Sequence, residues 1–293
     1  MIELPEALVI AAQIEETLCG RRIRCALRGN APHKFAFYSG PPEHYAATLP
    51  GKTVGRASAE GGLILVEALP GYLVVLGGGG ERILYHPPGT TLPSKHQLLL
   101  EFEDGAHLSV TVQGWGSVNL FSTDEPATRR WCGFDKGLMP TDSGFTFPYF
   151  DGLFSELGPE DPRSVKYFLI SKPGVRGLGN GYLQDILFHS RLHPRTRAAD
   201  LDPTQRRALY EATRQTITAA IELHGRDDEH DLFDGTGHYH RILSAHTAGS
   251  PCPRCRTPIA KESFLGGAVY FCPQCQPVPA RRAARRKAAR RQG

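Results

Sequence analysis

No uninterrupted apolar stretch in this 293-residue chain approaches the roughly 20 residues that a membrane-spanning helix needs. The chain therefore reads as a protein with no membrane partner. The N-terminus also lacks the marks of a signal peptide. It has no basic front, and Glu3, Glu6, Glu15 and Glu16 interrupt its apolar positions. A disulfide framework is missing as well. The seven cysteines are odd in number, with Cys19, Cys25 and Cys132 scattered and four others clustered, which fits a reducing, cytoplasmic compartment. No internal repeat is visible. Acid is absent from the tail "PVPARRAARRKAARRQG", which carries seven basic residues, among them Arg281, Arg282, Arg285 and Arg286. Without those seven the net charge falls from +4 to −3, so a near-neutral body carries a cationic arm. Such an arm suits phosphates, because each neutralised phosphate releases condensed counterions.

What is present changes character along the chain. "MIELPEALVI" opens an amphipathic helix predicted to run to about Gly20, with Leu8, Val9, Ala12 and Ile14 as its apolar positions. Residues 20–120 read as short strands, "GLILVEAL", "YLVVLGG", "HQLLLEFE" and "HLSVTVQGW" among them, which predicts an antiparallel sandwich or barrel. Residues 124–150 are rich in Asp, Thr, Pro and Gly, as a linker is. Helices follow in "PRSVKYFLISKPG", in "GNGYLQDILFHSRLHP" from near Asn180, and in "DPTQRRALYEATRQTITAAIELHG". The last has Asp202 as N-cap, Pro203 at its first position and Gly225 at its end. "DGTGHYHRILS" reads as loop; its histidines, with His230 and His246, are expected to make loop or phosphate contacts rather than a second metal site. Cys19, Cys25 and Cys132 are expected to be small buried hydrophobes, and Lys34 in "APHKFAF" a solvated lysine.

"CPRC" and "CPQC" place Cys252/Cys255 and Cys272/Cys275 with sixteen residues between the pairs. Each two-residue gap lets both thiolates of a pair face one ion, and two such knuckles complete a tetrahedral zinc site. The intervening residues suit a β-hairpin. No coordination position stays open, so the single Zn2+ is expected to be structural.

An acidic ELPE start, a β-rich half, "GLGNGYLQDILFHSRLHP", a long helix and a four-cysteine finger ending "YFCPQCQ" follow one another in this order. The chain thereby resembles the formamidopyrimidine-DNA glycosylase and endonuclease VIII family of base-excision repair enzymes, over nearly its whole length to Pro277. The resemblance implies an α+β fold: an N-terminal antiparallel β-sandwich with flanking helices over 1–135, a linker over 136–150, a helix–two-turns–helix domain over 151–249, a zinc finger over 250–277 and a basic tail over 278–293. It implies damaged DNA as partner, bound in a cleft between the domains, a monomeric state and a nucleoid-associated location. Physically, Gly177 and Gly179 allow a tight turn, and Asn180 stands at a helix N-terminus where an amide and backbone N–H groups can hold a phosphate. Lys172 and Arg176 lie beside this clamp, and Trp115 can stack on or wedge beside a base.

The departures are equally legible. The family's chemistry starts at a proline amine exposed by loss of the initiator methionine, and Ile2 stands in that place. The family's loop lysine aligns with Gly62, its gap-filling methionine with Gly78, its arginine and phenylalanine with Gly114 and Trp115, and its finger arginine with Gly267. Glu3 remains, with Glu6 behind it, to orient or deprotonate water at the sugar carbon. The expected function is a DNA glycosylase without efficient lyase activity. A catalytically silent damaged-DNA binder is the alternative, and an RNA- or protein-binding scaffold is a minor third reading. The glycine run 77–80 is expected to leave a roomy pocket for a bulky or single-stranded substrate.

Overall fold

The structure, a computed structural model, describes residues 1–31, 33–125, 128, 132 and 137–278. The expected contacts of Arg281, Arg282, Arg285 and Arg286 lie outside the described residues. Two compact units are formed: one by Met1–Phe145, Val175–Gly181 and Arg214–His240, the other by Thr146–Gly174, Tyr182–Thr213 and Arg241–Gly293.

The first unit opens with helix α1 (Leu4–Leu18), and β1 (Ile23–Leu27), β2 (Ala36–Tyr38) and α2 (Pro42–Thr48) follow. Strands β3 (Thr53–Glu60), β4 (Leu63–Leu69), β5 (Tyr72–Gly77), β6 (Glu81–His86), β7 (Leu98–Phe102), β8 (His107–Val112) and β9 (Gly116–Ser122) complete two sheets. One runs β1-β7-β8-β6, the other β2-β9-β5-β4-β3. Alternation along the strands sends one face of each sheet into a shared core, with Ile64, Val66, Val74, Leu76, Val118 and Leu120 from one sheet meeting Leu98, Leu100, Phe102, Leu108 and Val110 from the other. The sandwich expected from the sequence is thus present, with one difference: β2 pairs parallel with β9, every other pair being antiparallel. β2 is a three-residue edge strand, too short to show a direction in its side-chain pattern.

α1 also differs in detail. Its buried stripe is Leu4, Ala7, Ile10, Ala11, Ile14 and Leu18, while Leu8 and Val9 are half-buried and Ala12 is exposed. The stripe keeps the helical period but is rotated from the face read in the sequence, because Leu4 and Ala7 in the first turn belong to it. Cys19 follows the last stripe residue and is exposed, Cys25 is half-buried, and only Cys132 of the three is buried. Burial pushes the Cys132 thiol up to about 11, so it is inert at neutral pH.

The glycine run 77–80 does not leave a roomy pocket. It lies backbone to backbone against its neighbours: Gly78 N–H donates to Gly62 O (2.8 Å), Gly80 N–H to Trp115 O (2.7 Å) and Gln113 N–H to Gly80 O (2.6 Å). A Cβ at 79 or 80 would collide with the carbonyls of Trp115 or Gln113. These glycines serve close approach, not empty space. Gly79→Ala is expected to destabilise this unit by roughly 2 kcal/mol, seen as a lowered midpoint in chemical denaturation. An unchanged midpoint would contradict the packing.

The second unit contains α3 (Phe147–Gly152), α4 (Val165–Ile170), most of α5 (Asn180–His189), the first half of α6 (Pro203–Glu222), and the hairpin β10 (Ala260–Phe264) and β11 (Gly267–Phe271). Asp202 caps α6 as expected: its carboxylate accepts from Gln205 N–H (2.9 Å), and Gln205 Oε1 returns the bond to Asp202 N–H (3.1 Å). Phe150, Phe154, Phe168 and Tyr210 pack ring against ring in this unit. Asp185, fully buried on α5, accepts from Ile242 and Leu243 N–H (3.0 and 2.9 Å) and so fixes the chain leading to the finger.

Candidate active site and zinc centre

Glu3 ends its extended lead-in at the N-cap of α1, where Glu6 Oε2 accepts its backbone N–H (3.0 Å). Its own carboxylate is buried, 3 % exposed, and aimed at the turn that opens α5. Oε2 accepts from Gly179 N–H (2.8 Å); Oε1 accepts from Gly181 N–H (2.7 Å) and from Nη1 of Arg226 (3.1 Å). The carboxylate thus occupies the positive end of a helix, where free N–H groups and the peptide dipoles favour an anion. All these residues belong to the first unit.

Arg226 is the residue that sequence reading missed. It is 3 % exposed, and its guanidinium serves Glu3, lies 3.2 Å from Glu6 Oε1, and reaches Met1 O and Glu229. Its backbone N–H donates to Glu6 Oε1 as well (3.1 Å). Gly181 makes the room: a Cβ there would overlap the guanidinium. Likewise a Cβ at Gly179 would meet the Glu3 carboxyl carbon at 2.7 Å. The second and third glycines of "GLGNG" are therefore shaped around a buried ion cluster, a purpose the tight-turn reading did not anticipate. The one usable signal was Arg226 standing between Gly225 and the acidic run that follows it.

Backbone closes around Ile2 and Gly62, the two positions that the resemblance aligns with the family's amines. Ile2 is buried, and its N–H, an amide, donates to Gly79 O (2.8 Å). A Cβ on Gly62 would lie 2.8 Å from Ile2 O, so the main chain runs where a side chain at 62 would begin. The Met1 amine pairs with Glu229. Beside it lies a polar hollow of about 210 Å3, with Glu81, Arg82, Gln113 and His230 in its wall. Burial raises the Glu81 carboxyl above its ordinary range, although its oxygens accept from Gly79 and Ser117 N–H.

Other expected contact residues are placed as follows. Asn180 is half-buried at the first residue of α5, next to the Glu3 cradle. Arg176 faces inward: it pairs with Glu60 (2.7 Å) and donates to Cys132 O (2.9 Å), so its charge is committed inside the unit. Lys172 is exposed, in the other unit. Trp115 is half-exposed in the bend just before β9. His230 pairs with Asp234 and His240 with Asp227.

The four cysteines converge. Their sulfurs all lie within 4.8 Å of one another, with Cys252–Cys275 at 3.9 Å and Cys255–Cys272 at 3.4 Å. A regular ZnS4 tetrahedron with bonds of about 2.3 Å needs about 3.8 Å between sulfurs, so the set fits one structural zinc ion. Among the described residues no other group of His, Cys, Asp and Glu is so arranged. The hairpin expected between the pairs is β10–β11, in register from Ala260↔Phe271 to Phe264↔Gly267.

A β-sandwich unit and a helical unit with a four-cysteine hairpin are the features that the comparisons with known proteins match. The family model described as the formamidopyrimidine-DNA glycosylase H2TH domain matches residues 137–229, and that of the zinc finger found in FPG and IleRS matches 249–278. A formamidopyrimidine-DNA glycosylase of Corynebacterium efficiens is 28 % identical over 292 residues, covering 95 % of this chain and all of that protein. Its counterpart in Symbiobacterium thermophilum is 28 % identical over 95 % and 90 %. The Lactococcus lactis enzyme, solved with abasic-site DNA, superposes with a TM-score of 0.82 at 22 % identity, over 94 % of this chain and 100 % of that one. The chain is thus similar to formamidopyrimidine-DNA glycosylases over nearly its whole length and carries the H2TH domain and zinc finger described for them. Among the described residues no helix is long and apolar enough to cross a membrane.

Proposed function

We propose that this protein is a DNA N-glycosylase that releases a modified base by hydrolysis and lacks efficient strand-cleaving lyase activity. One observation carries the reading: the amine positions are closed by backbone, while the Glu3 carboxylate is kept in a pre-organised cradle. In the reaction the C1′–N bond breaks, water supplies the oxygen of the new C1′–O bond, and a proton from that water ends on the departing base. Three donors already occupy the oxygens of Glu3. Its contribution is a fixed negative charge against the cationic sugar, with the water held at its remaining lone pairs. The base must leave the stack to be reached. The 210 Å3 hollow beside Met1 is smaller than a drug-sized pocket, on the scale of one base, with Arg82 and Gln113 to read polar edges. Asn180 at the head of α5, Lys172 and the basic tail supply phosphate contacts. Without a Schiff-base amine, elimination has no covalent intermediate to start from.

A second reading has its own observation. Glu3 is so enclosed that it also serves as a strut between two helix starts, which a silent DNA binder would keep. Base release from oxidised, ring-opened and alkylated oligonucleotides, read with and without hot alkali, separates the two. Strand breaks appearing only after alkali, and reduced at least 100-fold in a folded Glu3→Gln protein, are the expected result. Breaks without alkali would contradict the loss of the lyase. No release from any substrate, with DNA binding intact, would select the silent binder.

A further inference from the structure

β2 pairs in parallel with β9, so residues in register share a face: Ala36 with Gly116, Phe37 with Ser117, Tyr38 with Val118. Tyr38 and Val118 turn toward the sandwich core. Alternation therefore sends Phe37 to the opposite face of the sheet, and Phe35 and Trp115 stand in the turn and bend that lead directly into β2 and β9. These three rings are 49 %, 52 % and 50 % exposed, and among the described residues none makes a ring–ring contact. Lys34 holds its ammonium 5.3 Å from the Phe35 ring and has no carboxylate partner among the described residues.

The patch is continuous with the candidate site through the backbone. Ile2 N–H donates to Gly79 O, Gly80 N–H to Trp115 O, and Gly116 N–H to Phe35 O (2.8, 2.7 and 2.9 Å). From the glycine run to β2 is two strand spacings, about 10 Å. We propose that Phe35, Phe37 and Trp115, with Lys34, form a stacking platform for unpaired bases of single-stranded DNA flanking the base held at Glu3. The proposal rests on the reading of that site as one that takes a base out of the strand. Half-exposed rings with no stacking partner offer π-faces to any base, and a lone cation beside them suits an anionic backbone more than an apolar protein surface. This deepens the partner from damaged DNA in general to DNA with an unpaired stretch.

The test is fluorescence anisotropy of a labelled dT oligomer and of a matched duplex against wild type, Phe35→Ala/Phe37→Ala, Trp115→Ala and Lys34→Ala, across a salt series. Half-exposed positions leave the fold intact, which thermal melts check. The aromatic variants are expected to lose roughly tenfold or more of single-strand affinity at every salt concentration. Lys34→Ala should instead lower the salt slope by about 0.7. Duplex affinity should hardly change. In a Trp131→Phe background, quenching of Trp115 on oligomer binding is also expected. Equal losses on duplex and single strand, or none on either, would overturn the platform. So would loss of self-association alone in sedimentation. Base release by wild type on duplex substrates is scored separately. If it is absent while the aromatic variants still lose single-strand binding, the glycosylase reading fails and the platform stands.

Discussion

Arg226→Met is expected to destabilise the protein by about 3–5 kcal/mol, because it leaves Glu3 and Glu6 buried with no cation between them. Two carboxylates at 3 % and 4 % exposure cannot turn to water for compensation. The loss should appear as a fall of roughly 10 °C in the melting midpoint, at the 2–4 °C per kcal/mol expected for a chain of this size. Gly181→Ala should give the same phenotype from the other side, since its Cβ would occupy the place of the guanidinium. Melting curves of both variants at pH 7 check this. A deficit below 1 kcal/mol at pH 7 would mean that the cluster contributes little beyond its hydrogen bonds.

That cluster shows where sequence reading reaches its limit. Glu3 was legible because it sits in a short local pattern, and the zinc ligands because tetrahedral geometry imposes a two-residue gap within each pair. The Asp202 cap was legible for the same reason: cap, proline and glutamine fall within four residues. Arg226 was not, because its partners Glu3 and Glu6 lie over 200 residues away and nothing local distinguishes it from a solvated arginine. The glycines were visible but their reason was not. Glycine signals only that a side chain is absent; Gly79 and Gly80 turned out to admit neighbouring main chain, and Gly181 a guanidinium. Arg176 shows the converse, a cation beside the expected clamp that folds inward onto Glu60. In "APHKFAF" only Lys34 drew notice, while the parallel pairing of β2 with β9, which brings Phe35 and Phe37 beside the chain at Trp115 and Gly116, is a long-range fact that alternation alone does not reveal.

Removing the zinc is expected to unfold the finger outright. The hairpin β10–β11 has five residues per strand, and an isolated two-stranded hairpin is marginal in water. The apolar cluster beneath it is small, Phe188, Leu243 and Ile259 together with Cys252 and Cys272, so two of its five buried members are themselves ligands. The backbone around the knuckles is organised by the same cysteines: Cys252 N–H donates to Thr257 O, Cys272 N–H to Gln276 Oε1, and Gln276 Nε2 to Leu192 O (all 2.9 Å). Four thiols brought this close resist joint ionisation without a cation. Burial and the neighbouring sulfurs push Cys275 up to about 12, while the Thr257 side chain and backbone pull Cys255 down to about 6. Zinc removes that opposition by displacing the protons, so its affinity falls steeply on acidification. Structural sites of this kind bind with apparent free energies of about 10–16 kcal/mol at pH 7. Titration with a chromogenic chelator should therefore release one zinc per chain only under mild denaturation or acid. On release, amide protons of Ala260–Phe264 and Gly267–Phe271 should lose their protection from hydrogen exchange, and Cys272→Ser should reproduce the loss without chelator. The first unit, with its own sandwich core, should keep its protection. A metal-free chain whose hairpin amides stay protected would show that packing alone holds the finger.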